Sequence, residues 1–368
     1  MKSPWNALQQ ATAEFKLLVR LTPMPAVVLM TGLACDRLVD AAAIDGLDFD
    51  SAGIPLASIY FRLKRAIPLR VRRAIRRLHA RRLRSRFRNS WPIDEASARR
   101  PEGWPGWPDG KEFAFVLTHD IEGTTGLDRC HRLAEIETSL GFRSSFNFVP
   151  EGEYATPEEL RAFLTERGFE VGVHDLHHDG RLYRSRAAFK KNSQKINRYL
   201  ASWGSVGFRS GFMLHNLGWL QDLNVLYDAS TFDTDPFEPQ RDGTKTIFPF
   251  WVHRNDGSGY VELPYTLPQD STLFLALEET SIDVWKRKLD WVAAHGGLAL
   301  VTTHPDYMSF DKTASSSAYR VELYEELLRY VHSRYRNTCW FALPRDVAQY
   351  VAEYKPTFAE MSIASSSV

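Results

Sequence analysis

At 368 residues, 44% hydrophobic and 25% charged, the chain is long and apolar enough for one large globular domain or two smaller ones. A formal net charge of +1 leaves no whole-molecule field to draw it to nucleic acid. Three cysteines, Cys35, Cys130 and Cys339, lie far apart without CxxC spacing; they support neither a zinc knuckle nor a disulfide framework and read as reduced, mostly buried thiols.

The first hundred residues differ in texture from the rest. Residues 25–35 are apolar, but too short to span a bilayer, and they run straight into Asp36 and Arg37. No basic stretch and h-region of secretory type stands near the start, so the expected location is the cytoplasm. Between Arg62 and Arg88 the chain is rich in Lys and Arg and has no acid. Pro68 suits a first helical turn, and Val71, Ile75 and Leu78 then share one face. Such a basic amphipathic helix has two readings: peripheral contact with an anionic membrane through Arg62 to Arg88, or a solvated helix packed on the acidic remainder of the chain. Nucleic acid is not an expected partner, because no aromatic platform accompanies the charge.

Residues 101–110 (PEGWPGWPDG) read as a linker and set a domain break near residue 110. The expected organisation is a basic, mostly helical extension and linker over 1–110, a catalytic domain over 111–356 and a tail over 357–368.

From Phe113 onward strand-like and helical runs alternate. FAFVLT (113–118) predicts a buried strand, and a helix around Leu127 to Leu140 stops at Gly141. SSFNFV (144–149) predicts the next strand. Thr156-Pro157-Glu158-Glu159 predicts a capping box with proline at the first helical position, and Gly168 ends that helix. FEVGVH (169–174), VGFRS (206–210), VLYDAS (225–230) and YVELPY (260–265) are further strands. Ser281 caps a helix ended by Gly296-Gly297; LALVTTH (298–304), a helix over 318–333, CWFAL (339–343) and a helix over 345–354 complete the series. Strands alternating with helices in about 250 residues predict an α/β fold with a parallel, closed or nearly closed barrel.

The polar motifs stand at strand ends, where side chains from several strands converge in such a barrel. Asp120 and Glu122 point to one side of an extended segment. One can hold a metal ion while the other takes a proton from water. His174-Asp175-Leu176-His177-His178-Asp179 is an unusual concentration in a chain with 11 histidines. His174 and His178, four apart, face one ion if the chain turns helically after the strand, with His177 as the substitute for a tighter turn. Arg209, in FRSG, is placed to clamp a carboxylate and keep a general base charged. His304, in HPDY, has the chemistry to hand a proton to a leaving amine.

The ordered set THDIE (118–122), HDLHH (174–178), FRSGF (208–212), YDAS (227–230) and TTHPDY (302–307) resembles the NodB-homology polysaccharide deacetylases, a carbohydrate esterase family with a distorted (β/α) barrel. The likeness runs from Phe113 to Tyr354. It implies a divalent metal, with Zn2+ the expected ion, held by Glu122, His174 and His178. It implies Asp120 as general base, Arg209 as its orienting partner and His304 as general acid. Asp228 falls near the aspartate that tunes the late histidine, and Asp233 and Asp235 compete for that role. Ile121 stands where the best-known branch has a second aspartate, so the base and ligand roles of Asp120 and Glu122 can be exchanged. The implied activity is removal of an acetyl group from an N-acetylated sugar of a polysaccharide, an oligosaccharide or a lipid- or nucleotide-linked precursor. The alternatives are hydrolysis of a non-sugar amide of the cyclic imide or ureide type, and a catalytically silent carbohydrate-binding barrel.

Overall fold

The computed structural model describes residues 69–254, 256–311 and 317–358. The described residues from Arg77 onward belong to one compact unit; residues 69–76 fall to a second unit, the rest of which lies outside the described residues. Cys35 and residues 62–68 of the basic segment also lie outside them.

Helix α1 (Leu69–Arg86) leads to β1 (Phe113–Ile121), α2 (Thr124–Ser139), β2 (Ser145–Phe148), α3 (Glu158–Glu166), β3 (Glu170–His174), α4 (Arg186–Trp203) and β4 (Gly207–Arg209). Then come the short α5 (Leu217–Leu220), β5 (Tyr227–Asp228), β6 (Phe250–His253), β7 (Gly259–Glu262), α6 (Asp283–His295) and β8 (Leu298–Thr303). The two-residue strands β9 (Met308–Ser309) and β10 (Tyr319–Arg320), helix α7 (Val321–Tyr335), β11 (Cys339–Phe341) and α8 (Pro344–Tyr354) complete the chain.

The sheet runs β8-β1-β2-β3-β4-β5-β7-β6, with β11 beside the first half of β1; every pairing in it is parallel except β6 against β7. It is a distorted barrel, because the gap between β7 and β8 is bridged by irregular chain. Tyr265 bridges Phe232, Leu267 bridges Val301, and the amides of Thr266 and Leu267 donate to the Leu300 carbonyl at 3.2 and 3.1 Å. All nine residues of β1 are buried, as a strand covered on both faces requires. Ala114 and Val116 face inward and pack with Leu298, Leu300, Leu263 and Tyr265. Phe113, Phe115, Leu117 and Ile121 face outward, against α2, α6 and α7. By the same alternation Thr118 and Asp120 point into the barrel and His119 points out of it.

Several expectations change. Helix α4, with Ser185 accepting from the Ala188 amide and Gly204 in the left-handed conformation, is not among the expected elements although both its ends carry standard signals. Helix α3 has no capping box: Pro157 occupies the N-cap position, and the buried Thr156 hydroxyl has no partner among the described residues. Residues 101–110 are not a free linker. Trp107 is buried, its indole donates to the Gly296 carbonyl at 2.8 Å, and Glu102 pairs with Thr357 of the expected tail. The described half of the basic segment follows the second of its two readings. Ala80 and Leu83 are buried while Leu78 is exposed, and Arg77, Arg81 and Arg84 pair with Glu278 and Glu279. No described helix is long and apolar enough to cross a membrane.

Candidate metal and catalytic site

The C-terminal ends of β1, β3, β4 and β8 deliver Asp120, His174, Arg209 and His304 to one rim of the barrel. Three of the predicted residues form a cluster: one ligand atom each of Glu122, His174 and His178 lies within 4.8 Å of the others. Asp120 is not in that cluster, because both its oxygens are engaged elsewhere. Oδ1 accepts from Asn147 Nδ2 at 2.8 Å, and Oδ2 lies 3.3 Å from Arg209 Nη1. The geometry therefore sorts the two carboxylates: Glu122 faces the histidines and Asp120 faces the arginine.

Each ring is held by its surroundings. The Nδ1 of His174 lies 3.1 Å from the Arg209 carbonyl, leaving Nε2 buried with no hydrogen-bond partner among the described residues. His178 Nε2 is likewise buried without a hydrogen bond and lies 3.3 Å from Glu122 Oε1. Two orphaned ring nitrogens beside one carboxylate are what a divalent ion satisfies, so the donor set fits such an ion. Positive φ angles at Asp175 (56°), His178 (52°), Phe212 (56°) and Met213 (51°) concentrate backbone strain in the loops after β3 and β4. Those loops interlock. Asp175 Oδ2 accepts the Gly211 amide at 3.2 Å, and the Phe212 ring stacks on His178 with centroids 4.6 Å apart. A Cβ at Gly211 would stand 2.7 Å from Asp175 Oδ2 and 2.8 Å from His178 Cδ2, so the approach depends on glycine. His177 turns away, its Nδ1 3.1 Å from the Glu151 carbonyl.

Arg209 is 1% exposed, and its Nη1 reaches Thr118 Oγ1 at 3.0 Å and Thr302 Oγ1 at 2.5 Å besides Asp120. Its Nε and Nη2 have no hydrogen-bond partner among the described residues. Burial pushes the Asp120 carboxyl up, but the charges of Arg209, His174 and His304 and the Asn147 bond outweigh it and hold Asp120 at about 2. Glu122 is also held well below the carboxylate range: burial opposes ionisation, but the His178 ring beside it and the charge of His304 prevail.

His304 stands opposite, with Nε2 3.8 Å from Glu122 Oε1. Its Nδ1 bonds Asp270 Oδ1 at 2.7 Å, and Asp270 Oδ2 accepts from the His304 amide at 2.8 Å and from Tyr319 at 2.9 Å. Burial alone would lower the imidazolium, but the Asp270 charge and hydrogen bond raise it to about 10. This corrects the expectation for Asp228. That side chain is turned to Ser230, with Oδ1 accepting at 2.7 Å, and shares a buried pocket with Glu262. Asp233 pairs with Lys288 and Asp235 with Tyr265. Asp270, in LPQDS, stands in no strand-end motif, so no local pattern in the chain marks it.

Other residues escape the sequence motifs too. Asn147, a polar residue inside the apolar run SFNF, was legible in principle; it sits over Gly172, where a Cβ would be 2.1 Å from its Oδ1. Tyr307 donates to Glu122 Oε2 at 2.7 Å, and Asp306 accepts the amides of Glu122 and Gly126 at 3.0 Å, tying the HPDY motif to the end of β1. A cavity of about 350 Å3 adjoins the cluster, bordered by Glu122, His178 and Tyr307 and by the exposed Gly152, Glu153 and His177.

No protein-family model and no curated protein matches the chain. Among solved structures, one from Mycobacterium smegmatis, provisionally named a polysaccharide deacetylase, aligns at 20% identity over 70% of this chain and 96% of its own, with a TM-score of 0.54. A CE4 family pseudoenzyme from Bacillus anthracis (14% identity, 66% of each chain, TM-score 0.39) is more distant. So is the peptidoglycan deacetylase PdaC from Bacillus subtilis (11% identity, 67% of this chain and 95% of that one, TM-score 0.37). Together with the parallel strand order, the first of these alignments gives the chain its fold: it has the distorted barrel of the polysaccharide deacetylases.

Proposed function

We propose that this protein is a metal-dependent hydrolase that removes the acetyl group from an N-acetylated sugar. The observation that carries the reading is the pair of orphaned, buried Nε2 atoms of His174 and His178, set beside Glu122 and between a charged Asp120 and a charged His304. Zn2+ suits a set of two histidines and one carboxylate, and when bound it supplies Lewis-acid polarisation of the acetamide carbonyl and acidifies water.

The chain's own groups do the rest. Asp120, kept ionised and aimed by Arg209 and Asn147, takes the proton of the attacking water as its oxygen bonds to the carbonyl carbon. His304, kept protonated and aimed by Asp270, delivers a proton from Nε2 to the departing nitrogen as the C–N bond breaks. Acetate and a free amine result. The strained, interlocked loops after β3 and β4 hold the histidine donors in place before anything binds.

The exposed residues on one side of the cavity make it an open groove, which favours a glycan over a small cyclic amide. Among the described residues its lining holds the carboxylates of Glu122, Glu153 and Asp306 and neither lysine nor arginine, which favours a neutral sugar over a nucleotide-linked one. Hydrolysis of a neutral N-acetylglucosamine oligomer and of nucleotide-linked N-acetylglucosamine, read as acetate release, and of a cyclic imide, read as ring opening, tests the reading. Turnover of the oligomer is expected to exceed that of the other two. Turnover of the imide alone would overturn the sugar assignment.

A further inference from the structure

The turn that carries His304 also carries a side chain for which the reaction has no step. Pro305–Tyr307 is a single 3-10 turn, closed by the Tyr307 amide donating to the His304 carbonyl at 2.9 Å. It is clamped to the chain that follows β1. Besides the two amides that Asp306 accepts, Arg129 Nη1 donates to the carbonyls of Pro305 and Asp306 at 2.8 and 2.9 Å. The fit leaves no slack. A Cβ at Gly126 would stand 2.2 Å from Asp306 Oδ2, and one at Gly123 would stand 3.0 Å from Asp306 Oδ1. A turn fixed in this way fixes the direction of the Tyr307 ring, whose centroid lies 5.3 Å from that of His304 and whose hydroxyl reaches Glu122.

The two oxygens of Glu122 then face different groups. Oε2 accepts from the Tyr307 hydroxyl at 2.7 Å, while Oε1 lies 3.3 Å from His178 Nε2 and 3.8 Å from His304 Nε2. The Glu122 side chain keeps 23% of its surface exposed, so packing alone does not set its rotation. A hydrogen bond from a ring anchored on a clamped turn does.

We propose that Tyr307 is a positioning residue: by engaging Glu122 Oε2 it turns Oε1 towards His178 and presets Glu122 as a metal ligand. The inference rests on the metal half of the proposed function and is independent of the substrate. A ligand held in advance loses less freedom when the ion arrives, and the group that holds it tunes the affinity of the site. Because the same turn carries His304, one piece of backbone sets both the carboxylate ligand and the general acid.

The test compares the full-length protein with its Tyr307→Phe variant, which removes the hydroxyl and keeps the ring. Tyr307 is half-buried and borders the cavity, so the change opens no hole in the core. Zinc affinity is read by competition with a chromophoric chelator, and the visible absorption of the cobalt-loaded forms reports on the ligand set. The variant is expected to bind zinc about 10- to 100-fold more weakly and to shift the cobalt bands. Its metal-free form is expected to unfold within about 4 °C of the wild type. Equal zinc affinity in the two forms overturns the proposal. So does weaker binding with unchanged cobalt bands, or with a metal-free form that unfolds earlier than that, since either marks a merely structural role. The parent reading fails separately. A wild-type chain that binds no zinc removes the metal site and the role of Tyr307 with it. A wild-type chain that binds zinc but releases no acetate removes only the hydrolase, and the affinity comparison still decides the role of Tyr307.

Discussion

Histidine meets glutamate at two places around strand β1, one wholly buried behind it and one partly open at the rim where it ends. On its outer face His119 bonds Glu137 Oε1 at 2.5 Å through Nε2 and Thr303 Oγ1 at 2.7 Å through Nδ1, and Tyr324 donates to the same glutamate oxygen at 2.6 Å. Both ring nitrogens are engaged, so the ring has none left for a metal. At the inner rim Glu122 meets His178 at 3.3 Å, and the Nε2 atoms of His178 and His174 have no hydrogen-bond partner among the described residues. Residue type does not separate a histidine that fastens a fold from one that holds an ion, and burial of the ring does not either, since His119 and His174 are both buried. The separation lies in whether a ring nitrogen is left over. His119 also pairs in register with Thr303, so the closed cluster braces the backs of the residues that precede Asp120 and His304.

The sharpest way to break this contrast is to remove a histidine from each side. His174→Ala is expected to abolish metal retention and acetate release together, read by metal analysis and an acetate assay. Retention of a full equivalent of metal would place the ion elsewhere. Next in size, His304→Ala should keep the metal and lose about 10²–10⁴ in kcat, because it removes the proton donor and leaves the ligands.

The closed side is expected to report on stability instead. His119→Ala removes one of the two hydrogen-bond partners of the buried Glu137 Oε1 and leaves a cavity beside it, and should destabilise the protein by about 2–4 kcal/mol in urea unfolding. With metal removed by a chelator, His178→Ala should cost about 1 kcal/mol, since its Nε2 makes no bond to lose. Equal costs would erase the distinction.

The smallest effect concerns pH. A histidine raised from 6.5 to about 10 adds stability that is complete below 6.5 and lost as pH rises through 10, and over the same range His304 stops being an acid. Asp270→Asn removes the charge responsible, so the alkaline limb of the pH–rate profile should move down, with activity at pH 9 reduced roughly tenfold or more. An unmoved limb would show that Asp270 does not set the histidine.

Much of the barrel and its rim was legible in the amino-acid sequence. The apolar runs ending in Asp120, His174, Arg209 and His304 became parallel strands because a strand covered on both faces must be apolar until it reaches the rim. The partners that orient those residues were hidden. Asp270 lies in a short irregular helical turn with no periodicity to mark it, and Asp228 sits at a strand end yet turns to Ser230 and Glu262. Which of several nearby aspartates meets a histidine depends on how the chain crosses between β7 and β8, and that irregular crossing has no local signature. The Trp-rich stretch before β1 misled for a related reason: Pro and Gly set its turns, but burial of Trp107 made it part of the barrel.

The most direct measurement is the number of zinc ions retained per chain after dialysis, compared across wild type, His304→Ala and His174→Ala. One ion in the first two and none in the third is the predicted outcome. A wild-type chain that retains no zinc, or a His174→Ala chain that retains one, would contradict the account.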